Sequence, residues 1–148
     1  MGRKSVKIEN RRVHYNYFVE DTLECGIVLR GNEVKSIRSG MCNLNDAYVD
    51  IKTGSLTLLN CHITKWETSN NFDVSERRPR VLLAHKKEIE KLGQKAVEKG
   101  YTIMPLSIYF SDNGKCKVLI GLCKGKHLYD KRESEKAKQV KRDMERYK

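Results

Sequence analysis

No stretch of this sequence is apolar over the roughly 18 residues that a membrane-spanning helix needs. Its first residues, Met-Gly-Arg-Lys-Ser-Val, lack the apolar centre of a secretory leader, and Val6 stands where a myristoyl acceptor requires Ser or Thr. The expectation is a cytoplasmic protein with no membrane partner. Paired cysteine spacing is missing too. Cys25, Cys42, Cys61, Cys116 and Cys123 are an odd set without a Cys-x-x-Cys pair, which argues against a disulfide framework and a zinc knuckle and for buried, reduced thiols. Cys116, Cys123 and His127 are not spaced as metal ligands, because a strand and a glycine loop separate them. Catalytic motifs are also lacking. His14, His62, His85 and His127 fall in different elements, and Gly121 to Gly125 lacks the Gly-Lys-Ser/Thr ending of a phosphate loop. The chain therefore reads as a non-enzyme with no metal and no cofactor. The enzymatic alternative is a metal-dependent nuclease using Glu24, Asp46 and Asp50.

What is abundant is positive charge. Thirty Lys and Arg against 19 Asp and Glu leave a formal charge of +11, a balance suited to a polyanionic partner and above all to RNA. At 148 residues the chain fits one domain with a core and an appendage.

Residues 1–12 read as a mobile basic arm, with Arg3, Lys4, Lys7, Arg11 and Arg12 and few apolar neighbours. Val13 to Leu29 carries strand chemistry, and the Cys25-Gly26 step suggests a bulge. A short helix opens at Gly31-Asn32-Glu33 with Val34, Ile37 and Met41 on one face. Tyr48 to Ile63 reads as a hairpin turned at Lys52-Thr53-Gly54-Ser55. Glu67 to Arg80 is polar enough to be a long exposed loop. Leu82, Leu83, Ile89, Leu92 and Val97 recur at helical spacing up to a stop at Gly100. Strands at Tyr101 to Phe110 and Lys115 to Leu122 meet at a tight Asn113-Gly114 reversal. Five or six short antiparallel strands with two intervening helices describe a mainly β protein with peripheral helices, a small closed barrel related to the oligonucleotide-binding fold. The barrel is expected over residues 13–124 and a basic tail over residues 125–148.

In that tail Arg132 and Lys136, Lys138 and Arg142, and Arg142 and Arg146 repel at i, i+4, offsetting the favourable Glu133 to Lys136 and Glu135 to Lys138 pairs. The expectation is a tail disordered in the free protein and helical once phosphates neutralise it. Lys124, Lys126, Lys131 and Arg132 surround Tyr129, a face for stacking on a base, and Gly125 lets the backbone turn close to a partner. Glu24, an acid in an apolar stretch, reads either as a carboxylate at a strand edge or as an acceptor for a guanine edge or a ribose hydroxyl.

Several blocks carry a resemblance: Asn10-Arg11-Arg12, Glu24-Cys25-Gly26-Ile27, Gly31-Asn32-Glu33-Val34-Lys35-Ser36-Ile37-Arg38, Asp46-Ala47-Tyr48-Val49, Arg80-Val81-Leu82-Leu83-Ala84-His85, and Lys124-Gly125-Lys126 with Tyr129-Asp130-Lys131-Arg132. In this order the chain resembles the small protein B (SmpB) family, partners of transfer-messenger RNA (tmRNA) in bacterial ribosome rescue, or trans-translation. It departs at Val81 and Ala84, where the family often has Lys and Leu. The resemblance implies a barrel that holds the tRNA-like domain of tmRNA, with Asn10, Arg11, Glu24, Leu83, His85 and Lys117 at the RNA face. It implies a tail that enters the small-subunit decoding site and the empty mRNA channel, with Gly125, Tyr129, Asp130, Lys131 and Arg132 as the matching positions. A monomer is expected. The alternative is a structural ribosomal or ribosome-assembly protein that binds ribosomal RNA constitutively.

Overall fold

Two long antiparallel strands organise the molecule, β8 (Thr102–Phe110) and β9 (Cys116–Gly125), joined where Gly114 adopts a φ of 78°. They are seen in a computed structural model that describes residues 6–52, 54–64 and 76–126. The remaining strands of the main sheet are β1 (Lys7–Glu9), β2 (Tyr17–Ile27), β4 (Tyr48–Lys52), β5 (Ser55–Leu59) and β7 (Arg80–Leu83). The order β8-β4-β5-β7-β2-β9, with β9 pairing back onto β8, closes a barrel. Closure leaves these strands without a long free edge, which is how an antiparallel sheet of this size avoids templating aggregation. β8 is long enough to meet β4 at Ile103 and β1 at Ser107 to Tyr109. A two-stranded ribbon of β3 (Cys42–Asn43) and β6 (His62–Ile63) lies outside this sheet.

Period-two alternation places Leu56, Leu58, Ile108, Val118, Ile120 and Leu122 inside the barrel, where each is essentially fully buried. Helix α2 (Gly31–Arg38) adds Ile37, and helix α3 (Lys86–Lys99) adds Ile89 and Leu92. Gly100 ends α3 in the left-handed conformation at φ 66°, and the Tyr101 N–H closes back on the Ala96 carbonyl at 2.9 Å. A second, smaller core lies on the outer face of β8 and β9, where helix α1 (Arg11–Asn16) packs Val13 against Leu106 and Cys123. Burying that valine contributes about 1.5–3 kcal/mol. The absence of a side chain at Gly121 makes room for this layer, since a Cβ there would stand 3.0 Å from Leu106 Cδ1.

Three expectations are corrected by these elements. The basic arm joins the fold from Lys7 onward. Lys7–Glu9 pairs with β8, and Asn10 is 2% exposed because its backbone N–H and side-chain amide are both taken up by the barrel. The strand expected from Val13 begins at Tyr17, because the apolar positions before it serve α1. Leu82 and Leu83 belong to a strand rather than to the helix that follows. Leu82 is buried and Leu83 exposed, the alternation of a strand, whereas Ile89 and Leu92 keep the helical period.

The bulge in β2 also falls elsewhere, between Val19 and Asp21, while Cys25 and Gly26 pair regularly with Val118 and Lys117. Leu83 packs beside Gly26, its Cβ 3.4 Å from where a Cβ on the glycine would stand, an ordinary contact distance. At the far end β9 runs on through Gly125, which pairs with Tyr17, and the Lys126 N–H reaches the Asn16 carbonyl at 2.8 Å. The sheet thus continues past the expected boundary at residue 124. Residues 1–5, 53, 65–75 and 127–148 lie outside the described residues, and with them the expected loop over most of its length and the tail beyond Lys126.

The cysteines are all free. Burial pushes the Cys25 and Cys123 thiols up to about 11 and Cys116 up to about 12, so all three are held as neutral thiols. Cys116 packs toward the barrel interior and Cys123 against α1, on opposite faces of β9.

Candidate nucleic-acid interface

Strand register brings residues from distant parts of the chain into one row on the outside of the barrel. Gly26 of β2 stands opposite Leu83 on one side and Lys117 on the other. Lys117 in turn stands opposite Tyr109 of β8, and Tyr109 opposite Lys7 of β1. Directly opposed residues share a face, so Lys7, Tyr109, Lys117 and Leu83 project together across five strands, about 5 Å apart from one strand to the next. Leu83 is 56% exposed, unusual for a leucine on a strand whose alternate position is in the core. Glu24 lies two residues before Gly26 on the same face, exposed to solvent. A concavity of about 450 Å³ beside the row is lined by Gly26, Ile27, Leu29, Val34, Leu83 and Lys117.

The electrostatics of this face combine two lysines with one oriented carboxylate. The Tyr109 hydroxyl donates a hydrogen bond to Glu24 Oε2. Burial of the phenol, helped by that carboxylate, pushes the Tyr109 pKa up to about 12, so the hydroxyl stays a donor at neutral pH. Lys7 pairs with Glu9 at 3.4 Å, a solvated contact of little energetic weight.

Glu24, Leu83 and Lys117, singled out from the sequence, therefore meet on one surface. His85 follows two residues after Leu83 as the exposed N-cap position of α3. Arg11 is exposed at the start of α1, next to Asn10, whose N–H reaches the Leu106 carbonyl at the middle of β8, away from the Tyr109 position of the row. Asn10 does not reach the surface. Its Nδ2 donates to the carbonyls of Leu44 at 3.2 Å and Pro105 at 3.0 Å, tying the loop after β3 to β8. A contact from this amide to RNA is thereby corrected to a structural clasp. Tyr109 and Lys7, which also stand in this row, are not among the residues the resemblance places at the RNA face. Alternation along Ser107-Ile108-Tyr109 held the signal, since a tyrosine one step from a core isoleucine presents its ring to the outer face.

A separate basic and aromatic cluster stands where β9 ends. Phe18 is 44% exposed, with Lys126 Nζ 4.8 Å above its ring and donating to the His14 carbonyl at 3.0 Å. Gly125 is exposed beside it, whereas Tyr129, Asp130, Lys131 and Arg132 lie outside the described residues.

The carboxylates a nuclease would need do not converge. Asp46 lies near Arg12 and Arg77, Asp50 near Lys52, and Glu24 accepts from Tyr109.

Known proteins resemble this chain over nearly its whole length. An SsrA-binding protein of Symbiobacterium thermophilum is 53% identical over 93% of this chain and 87% of its own. One from Staphylococcus carnosus is 52% identical over 93% and 88%. A solved structure of tmRNA–SmpB in the bacterial ribosome superposes with a TM-score of 0.70 at 41% identity, covering 83% of this chain and 86% of that one. The profile of the SmpB protein family matches residues 7–148, and on this match and these identities the chain belongs to the SmpB family.

Proposed function

We propose that this protein is a non-enzymatic RNA-binding factor of trans-translation that holds the tRNA-like domain of tmRNA and delivers it to the A site of stalled ribosomes. The observation that carries the reading is the convergence of Glu24, Leu83 and Lys117 from three strands onto one exposed face. The chemistry of that face suits folded RNA. Lys117 supplies a cation for a phosphate, Leu83 an apolar surface for a sugar or base, and Glu24 an acceptor that a phosphate cannot satisfy but a guanine edge or a 2′-hydroxyl can. His85 and Arg11 extend the contact at its margins, and the net charge of +11 speeds encounter with the polyanion. The tail from Gly125 through Tyr129, Asp130, Lys131 and Arg132 occupies the decoding site and empty mRNA channel, which leads to tagging of the nascent chain and ribosome release. Such a role belongs in the cytoplasm, where ribosomes are. Names support the reading: the relatives are SsrA-binding proteins, and the structural neighbour is a tmRNA–SmpB assembly on the ribosome.

Competition tests it. A labelled tRNA-like domain bound by the full chain should resist displacement by an equal mass of ribosomal RNA fragments. Equal displacement by both would instead mark a general ribosomal RNA binder.

A further inference from the structure

One group on the Glu24 face has no part in the contacts above: the Tyr109 phenol. Its place is closely determined. β8 is paired on both sides at this residue, with Lys7 of β1 opposite on one side and Lys117 of β9 on the other. The ring is half-buried, and its hydroxyl donates to Glu24 Oε2 from a strand 85 residues away in sequence. Among the described residues Glu24 Oε1 has no hydrogen-bond partner, and the side chain is exposed.

A glutamate on an open sheet face samples many rotamers, and ordering it when a ligand arrives weakens binding. A carboxylate also accepts more hydrogen bonds than one hydroxyl supplies, so the phenol can orient the group without using it up. Tyr109 thus orders Glu24 before any ligand arrives and, among the described residues, leaves one oxygen free. An ordered anion diagonal to Lys117 on the neighbouring strand has a specific consequence. A ligand that offers only phosphate meets repulsion there, whereas one that offers an N–H or O–H donor meets a ready acceptor.

We propose that Tyr109 is a positioning residue for RNA selectivity, its hydroxyl holding Glu24 so that the free oxygen accepts a hydrogen bond from a donor on the RNA. This rests on the assignment of the Glu24 face as the RNA-binding surface. The donor is either the amino edge of a guanine or a ribose hydroxyl.

The test compares full-length wild type, Tyr109→Phe, Glu24→Gln and the double variant, each bound to a tRNA-like hairpin and to oligouridine of equal length, with thermal melting alongside. Tyr109→Phe should lower the preference for the hairpin by about tenfold, the weight of a lost charge-assisted hydrogen bond. Glu24→Gln should lower it at least as much, and the double variant should lose no more than Glu24→Gln alone. Hairpins whose loop guanosines are replaced by inosine, or whose loop riboses are replaced by deoxyribose, then identify the donor: one replacement should cost wild type its preference and leave Tyr109→Phe unmoved.

If Glu24→Gln lowers the preference and Tyr109→Phe does not, the positioning role is wrong while the RNA face stands. If neither does, the RNA face itself is wrong and the role falls with it. Additive losses in the double variant, an equal drop on hairpin and oligouridine, or a wild-type preference that neither hairpin replacement lowers would each overturn the proposal.

Discussion

Arg80 is completely buried and places its guanidinium on Glu33, with Nε 2.9 Å and Nη2 2.6 Å from Oε2. The same guanidinium donates to the carbonyls of Cys61 and Glu76. Glu33 in turn accepts from Arg78 and from the Arg30 N–H at the start of α2. This ion pair joins α2 to β7 and to the β6 segment, and so helps support the strand that carries Leu83. A charge taken wholly out of water is tolerable only with its hydrogen bonds satisfied, and here the guanidinium has four acceptor contacts.

Arg80→Met should therefore destabilise the protein by about 3–5 kcal/mol, because the Glu33 charge and two carbonyls lose their partner in a buried setting. Denaturant unfolding followed by circular dichroism checks it. A change below about 1 kcal/mol would place Arg80 in solvent, where surface ion pairs belong.

Acid should act through the same pair. Burial pushes the Glu33 carboxyl up, but the Arg30 N–H together with Arg78 and Arg80 outweighs it, and the net result lies below the ordinary value of 4.5. As acid is added the unfolded chain takes up this proton first. The stabilisation is complete well above pH 4.5 and is lost as pH falls from there through the folded value. Glu33→Gln should be less stable at neutral pH and lose less stability between pH 5 and 3, the range in which the unfolded carboxyl titrates. Melting curves across that range measure the difference.

Asn10→Ala should separate structure from binding. Losing the two carbonyl contacts of its buried amide should cost about 1–3 kcal/mol of stability. Affinity for the tRNA-like domain, measured below the melting transition, should change by less than about twofold, because the group does not reach the surface.

Lys117→Ala should do the opposite. Stability should hold, affinity for the tRNA-like domain should fall by about 1 kcal/mol, and the slope of log affinity against log salt should flatten by about one ion. Titrations at several salt concentrations measure both.

The barrel was legible in the sequence wherever a period was clean. The reversal at Asn113-Gly114, the stop at Gly100 and the helix around Val34 and Ile37 lie where the residues indicate. Legibility failed where one apolar residue could serve two periods. Val13 and Tyr17 look like strand alternation but straddle a helix-to-strand junction, and Leu82-Leu83 continues the helical spacing of Ile89 and Leu92 by coincidence. Arg80 misled for another reason. A basic residue in a polar run reads as solvated, and only its partner Glu33, 47 positions away, makes burial possible. The site behaved likewise. Glu24, Leu83 and Lys117 could be named singly, but their meeting with Tyr109 and Lys7 depends on strand register, which no local pattern encodes.

On the proposed function, the barrel face holds the tRNA-like domain and the tail acts on the ribosome. A gel shift of the tRNA-like domain with the full chain and with a chain ending at Lys126, run beside a tagging assay on stalled ribosomes, tests it most directly. Truncation should leave RNA affinity within about threefold, about 0.65 kcal/mol, and abolish tagging. Loss of RNA binding on truncation would contradict it.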